Sequence, residues 1–373
     1  MHAEYAPNDP FVTGETPYTI TRILSSGPAG GVYEVHHRRL GKPFVAKVLS
    51  RSVADDREIR ERFMRGARAL AHLDGHPGIV TIVDLGTIGN WPPVPYCIME
   101  KLEGETLRAY LTRKKGQLPP RDALRIAIEI LRALGYAHER NVVHRDCKCE
   151  NTFLHHQVDH GRVTKVIDWF DIKIITDLDP MTTATFVGTR TNASPEQIEG
   201  GRITPATDLW SVAIVLFEML TGRHPVTEGC RTQGQVNAAI VKRTPDRLSH
   251  FMPDVPDFLD EEVFTALSRD PTLRPRDAFA FARVLESARQ YYRLRAPGRN
   301  EATIEQAAPA DRGPLDSSGM ASREWPIAAG RGEGEMRPLT KSSPDDTQPI
   351  DAAGPDELPT LPPLARRKSE STG

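Results

Sequence analysis

The sequence predicts an α+β fold of two lobes, a β-rich N-lobe and a helical C-lobe, followed by a disordered tail. Three observations carry that expectation. Strand-like alternation around glycine turns fills residues 18–100. Helical periodicity takes over after Leu102. Composition then shifts near residue 293: from Pro297 onward lie 11 of the chain's 31 prolines, many Gly, Ser and Thr, and a single aromatic residue, Trp325. Such a segment buries too little apolar area to offset its ordering entropy. The expected division is a flexible lead over 1–17, a folded unit over 18–293 (N-lobe 18–100, C-lobe 103–293) and a disordered Pro-rich tail over 294–373.

In chain order, residues 18–24 and 31–36 alternate around Gly27 and Gly30, which predicts two strands joined by a glycine-rich turn. Residues 44–49 read as a third strand. A long helix is expected over 55–73, where Phe63, Ala67 and Leu70 recur at spacings of four and three. Strands over 79–85 and 96–99 complete the first lobe. Helices are expected over 107–113, 121–139, 206–220, 234–242, 257–267 and 275–294. No internal repeat is visible.

Bulk properties exclude several classes. With 48 basic and 50 acidic residues the net charge is −2, which gives no reason to expect nucleic acid or an anionic membrane as the main partner. Four cysteines, Cys97, Cys147, Cys149 and Cys230, form no regular framework, so a reducing, cytoplasmic compartment is expected. Met1 to Pro10 is polar and lacks a signal-peptide core. The apolar run from Val212 to Leu220 contains Glu218 and is too short to span a bilayer. A soluble protein is expected.

His144-Arg145-Asp146-Cys147-Lys148-Cys149-Glu150-Asn151 is the stretch richest in chemistry. In an extended loop alternate side chains share a side, so Asp146 and Lys148 can face one substrate. Asp146 is suited to orient and deprotonate a hydroxyl, and Lys148 to balance charge on a phosphoryl group. Asn151 offers a neutral oxygen to a hard cation such as Mg²⁺. Upstream, Leu24-Ser25-Ser26-Gly27-Pro28-Ala29-Gly30-Gly31-Val32 is a candidate phosphate-covering loop, because missing side chains admit close backbone approach. An ordinary hairpin turn is the competing reading.

Together these residues resemble the protein kinases. The loop matches H-R-D-x-x-x-x-N, the glycine segment is similar to G-x-G-x-x-G-x-V with Ser25 in the first glycine position, and Phe44-Val45-Ala46-Lys47 follows as the next strand. Val166-Ile167-Asp168-Trp169-Phe170 stands in the place of D-F-G, 17 residues past Asn151. Gly188-Thr189 and Ser194-Pro195-Glu196 resemble the end of an activation segment, and Asp208-Leu209-Trp210-Ser211 and Arg274 complete the helical-lobe signature. The resemblance covers residues 18–293 and runs closest to bacterial eukaryotic-like Ser/Thr kinases, through pieces such as Arg68-Ala69-Leu70-Ala71 and His76-Pro77-Gly78-Ile79-Val80.

It implies a protein kinase-like fold with ATP and Mg²⁺ as cofactors. Asp146, Lys148 and Asn151 would be catalytic, and Asn151 and Asp168 would hold the metal. Leu24, Gly27, Gly30, Val32, Lys47, Met99 (in the gatekeeper position), Glu100 and Leu102 would bind nucleotide. The resemblance further implies a Glu196–Arg274 pair. Arg145 would receive a phosphate from Thr182, Thr183 or Thr185, with unmodified loop threonines as the alternative. Cys147 and Cys149 read either as a redox or metal-sensitive pair or as small packing residues. In the tail, Pro359-Thr360-Leu361-Pro362 before Arg366-Arg367 fits a polyproline II ligand for a partner, and Ser369 follows the basic cluster. A plain solvated tail is the alternative.

Three positions depart from the pattern. Gly66 falls where the long helix should present a glutamate to Lys47, a contact of about 1–4 kcal/mol at ~4 Å; its loss is expected to loosen Lys47, and a large rise in activity on Gly66→Glu would show that the missing pair limits catalysis. Glycine also weakens the helix by about 1 kcal/mol relative to alanine. Phe170 replaces a glycine whose backbone angles a phenylalanine finds costly. Ser25 is a milder change. Two main readings follow: an ATP-dependent protein Ser/Thr kinase acting on a protein hydroxyl, of ordinary or low activity, and a pseudokinase scaffold or nucleotide-responsive binding module. An aminoglycoside-type phosphotransferase shares a catalytic Asp and a metal Asn but generally lacks the activation segment and the Glu–Arg pair.

Overall fold

The computed structural model describes residues 16–89, 93–157, 161–171, 173–174 and 191–295. The threonines Thr182, Thr183 and Thr185, Gly188-Thr189, the N-terminal lead before residue 16 and the tail with its proline motif lie outside the described residues.

Alternation and turn residues build the first lobe as read. Strands β1 (Tyr18–Gly27), β2 (Gly30–His37) and β3 (Lys42–Leu49) follow one another as antiparallel hairpins. A short helix α1 (Arg51–Ala54) and the long helix α2 (Arg57–Ala71) come next. Strands β4 (Ile82–Ile88) and β5 (Val94–Glu100) complete a sheet of order β1-β2-β3-β5-β4. The expected single helix over 55–73 starts later than read because Asp56 caps it: its carboxylate accepts from the Glu58 and Ile59 amides at 2.8 and 3.4 Å. The buried face of α2 is Phe63, Gly66, Ala67, Ala69 and Leu70, the stripe its periodicity predicts.

The expected strand over 79–85 is displaced to β4. Ile79 and Val80 are buried but leave the sheet: Ile79 bridges Val166, and the Val166 amide donates to the Gly78 carbonyl at 2.8 Å. That detour fastens the first lobe to the second.

The second lobe contains more strand than its helical periodicity suggests. Strand β6 (Gly104–Thr106), helix α3 (Leu107–Arg113) and helix α4 (Pro120–His138) lead to β7 (Val142–Val143). Strands β8 (Thr152–Gln157) and β9 (Gly161–Val166) pair with β6 in the order β6-β8-β9, and β10 (Lys173–Ile174) pairs with β7. The 144–151 loop therefore hangs between β7 and β8, fixed at both ends by short ladders. Helices α5 (Pro195–Glu199), α6 (Pro205–Thr221), α7 (Gln233–Lys242), α8 (Asp257–Ala266) and α9 (Ala278–Leu294) follow. Helix α6 buries every residue from Thr207 to Phe217, as an interior helix should, with Thr207, Asp208 and Ser211 the polar residues among them. No helix among the described residues is long and apolar enough to cross a membrane.

The Glu196–Arg274 pair forms. Arg274 donates from Nη1 and Nη2 to the two carboxylate oxygens at 2.8 Å each, and from Nη1 to the Ala206 carbonyl at 2.8 Å. Burial pushes the Glu196 carboxyl up, but Arg274 outweighs it and holds the group below its usual range. A buried pair of this kind is costly to break from one side only. Arg274→Ala is expected to lower stability by about 3–5 kcal/mol, and adding Glu196→Ala to cost less than the sum, in a denaturant double-mutant cycle.

Candidate active site

The 144–151 loop is hung from one buried carboxylate. Asp208, fully buried on α6, accepts from the His144 amide at 2.9 Å, the Arg145 amide at 2.8 Å and His138 Nε2 at 2.8 Å. Those bonds hold Arg145 at a φ of 72°, a left-handed conformation that a non-glycine residue adopts only under restraint. Burial raises the Asp208 carboxyl, but His138, His144 and the Arg145 amide together outweigh it and leave it below the ordinary aspartate value. His144 Nδ1 accepts from the Asp146 amide at 3.2 Å, so Nε2 carries the proton and donates to the Ile167 carbonyl at 3.0 Å. The His144 ring also meets Trp169 edge-on, 4.6 Å between centroids.

Asp146, Lys148 and Asn151 are brought together as their spacing suggests. Lys148 Nζ donates to Asp146 Oδ2 at 2.6 Å, and Asn151 Nδ2 donates to the same oxygen at 2.7 Å and to the Asp146 carbonyl at 2.9 Å. A 3₁₀ turn over Cys149–Asn151 aims the asparagine inward. Burial pushes the Asp146 carboxyl above its ordinary value, and Lys148 offsets only part of that. Cys147 and Cys149 are buried, and burial pushes both thiols well up, which fits packing rather than redox or metal chemistry.

Asp168 arrives from the neighbouring strand. Thr152 pairs with Val166, and the Ile167 amide donates to the Asn151 carbonyl at 2.9 Å, which brings the two expected metal ligands to adjacent strand ends. Asp168 itself has a φ of 65°. Its Oδ1 forms an ion pair with Lys47 Nζ from β3, and although burial raises its carboxyl, Lys47 outweighs that and keeps it low. Among the described residues no cluster of three His, Cys, Asp or Glu side chains could hold a metal alone. One carboxylate and one amide oxygen suit Mg²⁺, which keeps waters and takes its remaining ligands from phosphates.

Two expectations about the departures are overturned. Lys47 is not loose: besides Asp168 it lies over the Phe170 ring, 4.5 Å from the centroid. Phe170 is not strained either, because it sits in a 3₁₀ turn over Trp169–Asp171 and the left-handed residue is Asp168. A glutamate at Gly66 would meet a tight main-chain contact. A Cβ there would lie 3.1 Å from the Phe170 Cα, the Phe170 carbonyl oxygen and the Trp169 carbonyl oxygen.

Three of the expected nucleotide residues, Val32, Lys47 and Met99, share one face of the first sheet. Val32 pairs with Lys47, Lys47 with Cys97 and Val45 with Met99, so these side chains share a face. Leu24 is exposed at an irregular step in β1, and Leu102 is half-buried just past β5. Gly27 meets open space, whereas Gly30, at a φ of 144°, has no room for a side chain beside the Val48 carbonyl. The turn between them is strapped down by Ser50, whose amide and hydroxyl donate to the Ala29 and Pro28 carbonyls at 3.1 and 2.8 Å. The Glu100 side chain turns away, accepting from Lys165 Nζ and the Thr81 amide at 2.8 Å each, and its own amide donates to the Thr81 carbonyl. Ser50, Lys165, and the Phe63–Phe170 stack (centroids 4.7 Å apart, 14° between planes) were not found by sequence reading. Only the aromatic character of Phe63 and Phe170 hinted at the last.

The fold is that of a protein kinase domain, and the chain belongs to the protein kinase domain family, which matches residues 18–285. Serine/threonine-protein kinase PrkC of Bacillus subtilis is 34% identical over 254 residues, 68% of this chain and 38% of that protein. Serine/threonine-protein kinase PknL of Mycobacterium tuberculosis is 29% identical over 363 residues, 95% of this chain and 86% of that protein. The chain thus spans well under half of PrkC but most of PknL. Among solved structures, the kinase domain of Mycobacterium tuberculosis PknI superposes with a TM-score of 0.59 at 25% identity, covering 76% of this chain and 99% of that one.

Because the Asp208 carboxyl is depressed in the folded state, its stabilisation is present above the unfolded-state value and is lost as pH falls through the folded one. Asp208→Asn is therefore expected to lower stability by about 3 kcal/mol at neutral pH and by less at acid pH, read from urea unfolding at both.

Proposed function

We propose that this chain is an ATP- and Mg²⁺-dependent protein kinase that transfers the γ-phosphoryl group to a serine or threonine hydroxyl. The observation that carries the proposal is the convergence on Asp146 Oδ2 of Lys148 Nζ and Asn151 Nδ2, opposite the Lys47–Asp168 pair. With Oδ2 held by two donors, Oδ1 is the oxygen turned to an incoming hydroxyl. Asp146 orients that hydroxyl and takes its proton, and a carboxyl raised by burial is a better base than an exposed aspartate. Lys148 lies between Asp146 and the phosphoryl path and balances negative charge there. Asn151 Oδ1 and Asp168 are the protein ligands for Mg²⁺, which when bound supplies charge neutralisation at the phosphates. Lys47 binds the α- and β-phosphates, and Val32 and Met99 flank the base. Since the Glu100 amide is already taken by Thr81, its carbonyl and the Leu102 backbone are left to read the adenine edge.

The two residues that favoured a silent scaffold, Gly66 and Phe170, do not disturb this cluster. The proposal includes the division at residues 17 and 293, a protein substrate, a partner for the proline motif of the tail, and a cytoplasmic location that fits four free cysteines. Phosphotransfer retained by a chain ending at Leu294 would support that boundary; its loss would refute it.

Phosphotransfer from Mg·ATP to a generic basic protein tests the core of the reading. Asp146→Asn is expected to lower kcat by about 10²–10⁴-fold with the fold intact, and equal labelling by both proteins would refute the proposal. The acid limb of kcat/KM is expected above the ordinary aspartate range, and Lys148→Met to move it higher still, since Lys148 is the largest influence lowering the Asp146 carboxyl.

A further inference from the structure

We propose that the Phe170 ring is a positioning residue that, beside Asp168, holds Lys47 where α2 presents no glutamate, and that Gly66 and Phe170 form one coupled device. The inference rests on the kinase reading for its consequence, though not for its geometry. Helix α2 meets the Trp169–Phe170 turn at backbone distance, and the atoms that a Gly66 Cβ would strike belong to the Phe170 and Trp169 main chain. Backbone cannot rotate aside as a side chain can. A side chain at this position therefore requires the helix and the turn to give by a few tenths of an ångström.

Two aromatic rings pack beside this contact. Phe63, one turn before Gly66 on α2 and 3% exposed, stacks on Phe170 with 4.7 Å between centroids. Phe170, 6% exposed, presents its ring to Lys47 Nζ at 4.5 Å. That distance lies within the ~6 Å over which a ring face attracts an ammonium. The acids of α2 are engaged elsewhere: Glu58 with Arg62 at 3.1 Å and Glu61 with Arg57 at 2.7 Å.

A ring face differs from a carboxylate in one useful way. It draws the amine without accepting an N–H in a directed bond, so the three donors of Lys47 remain available to Asp168 and to phosphate. When Asp168 turns from Lys47 towards a metal, the ring contact is the one that persists. Each departure from the family pattern thus accounts for the other. Gly66 lets the turn approach, and the approach delivers the ring.

Graded fluorination separates positioning from packing, because it drains the ring face while nearly keeping its shape. With 4-fluoro-, 3,5-difluoro- and 3,4,5-trifluorophenylalanine at position 170, affinity for Mg·ATP by calorimetry is expected to fall stepwise, about tenfold in all, with the melting temperature unchanged. In the protein without nucleotide, the Lys47 ε-methylene protons should show an upfield ring-current shift that Phe170→Leu abolishes. Gly66→Glu should weaken Mg·ATP binding. A flat affinity series with an unshifted Lys47 resonance would overturn the inference and leave the role of Asp146 untouched. Failure of the unaltered protein to bind Mg·ATP would instead sink the kinase reading, and the Lys47 resonance would still decide the ring contact.

Discussion

The close approach of α2 to the Trp169–Phe170 turn at Gly66 sets the geometry of the whole cleft. Without a side chain at that position, the helix lies against main chain, and three things follow. Phe63 and Phe170 stack; Lys47 gains a ring beneath its amine; and Asp168, just ahead of the turn, is held beside Lys47 in a left-handed conformation. The strain of that conformation, of order 1–3 kcal/mol, persists because its surroundings over-determine it.

The other wall depends on Asp208 in a comparable way. A carboxylate buried on α6 would be unfavourable there without partners, but two amides and His138 surround it. The loop it suspends then places Asp146 where Lys148 and Asn151 both reach one oxygen. His144 connects the two walls: it accepts from the Asp146 amide, donates to the Ile167 carbonyl and packs against Trp169. Lys165, buried between Glu100 and the Ile79 carbonyl, ties the strand leading to Asp168 back to the first lobe.

How much of this was legible in the sequence depended on range. Asp146, Lys148 and Asn151 lie within six consecutive residues, so their spacing alone placed them on one site. Lys47 and Asp168 are 121 residues apart and were legible only because the motifs occur in family order. The bundle helices were legible because their apolar faces span several turns. Strands β6, β8 and β9 were not, being short and carrying polar residues such as His155 and His156 beside buried Thr152 and Leu154. Gly66 and Phe170 were misread for a different reason. Position by position each looked like the loss of a required group, whereas their effects compensate through a contact between α2 and a turn that no local pattern encodes.

The measurement that tests this account most directly is a crystal structure of the domain with Mg²⁺ and a non-hydrolysable ATP analogue. The account predicts Gly66 still against the Trp169–Phe170 main chain, and Lys47 reaching the phosphates from over the Phe170 ring after Asp168 has turned to the metal. A helix α2 swung so that Glu58 or Glu61 reaches Lys47, with Phe170 displaced from beneath it, would contradict the account.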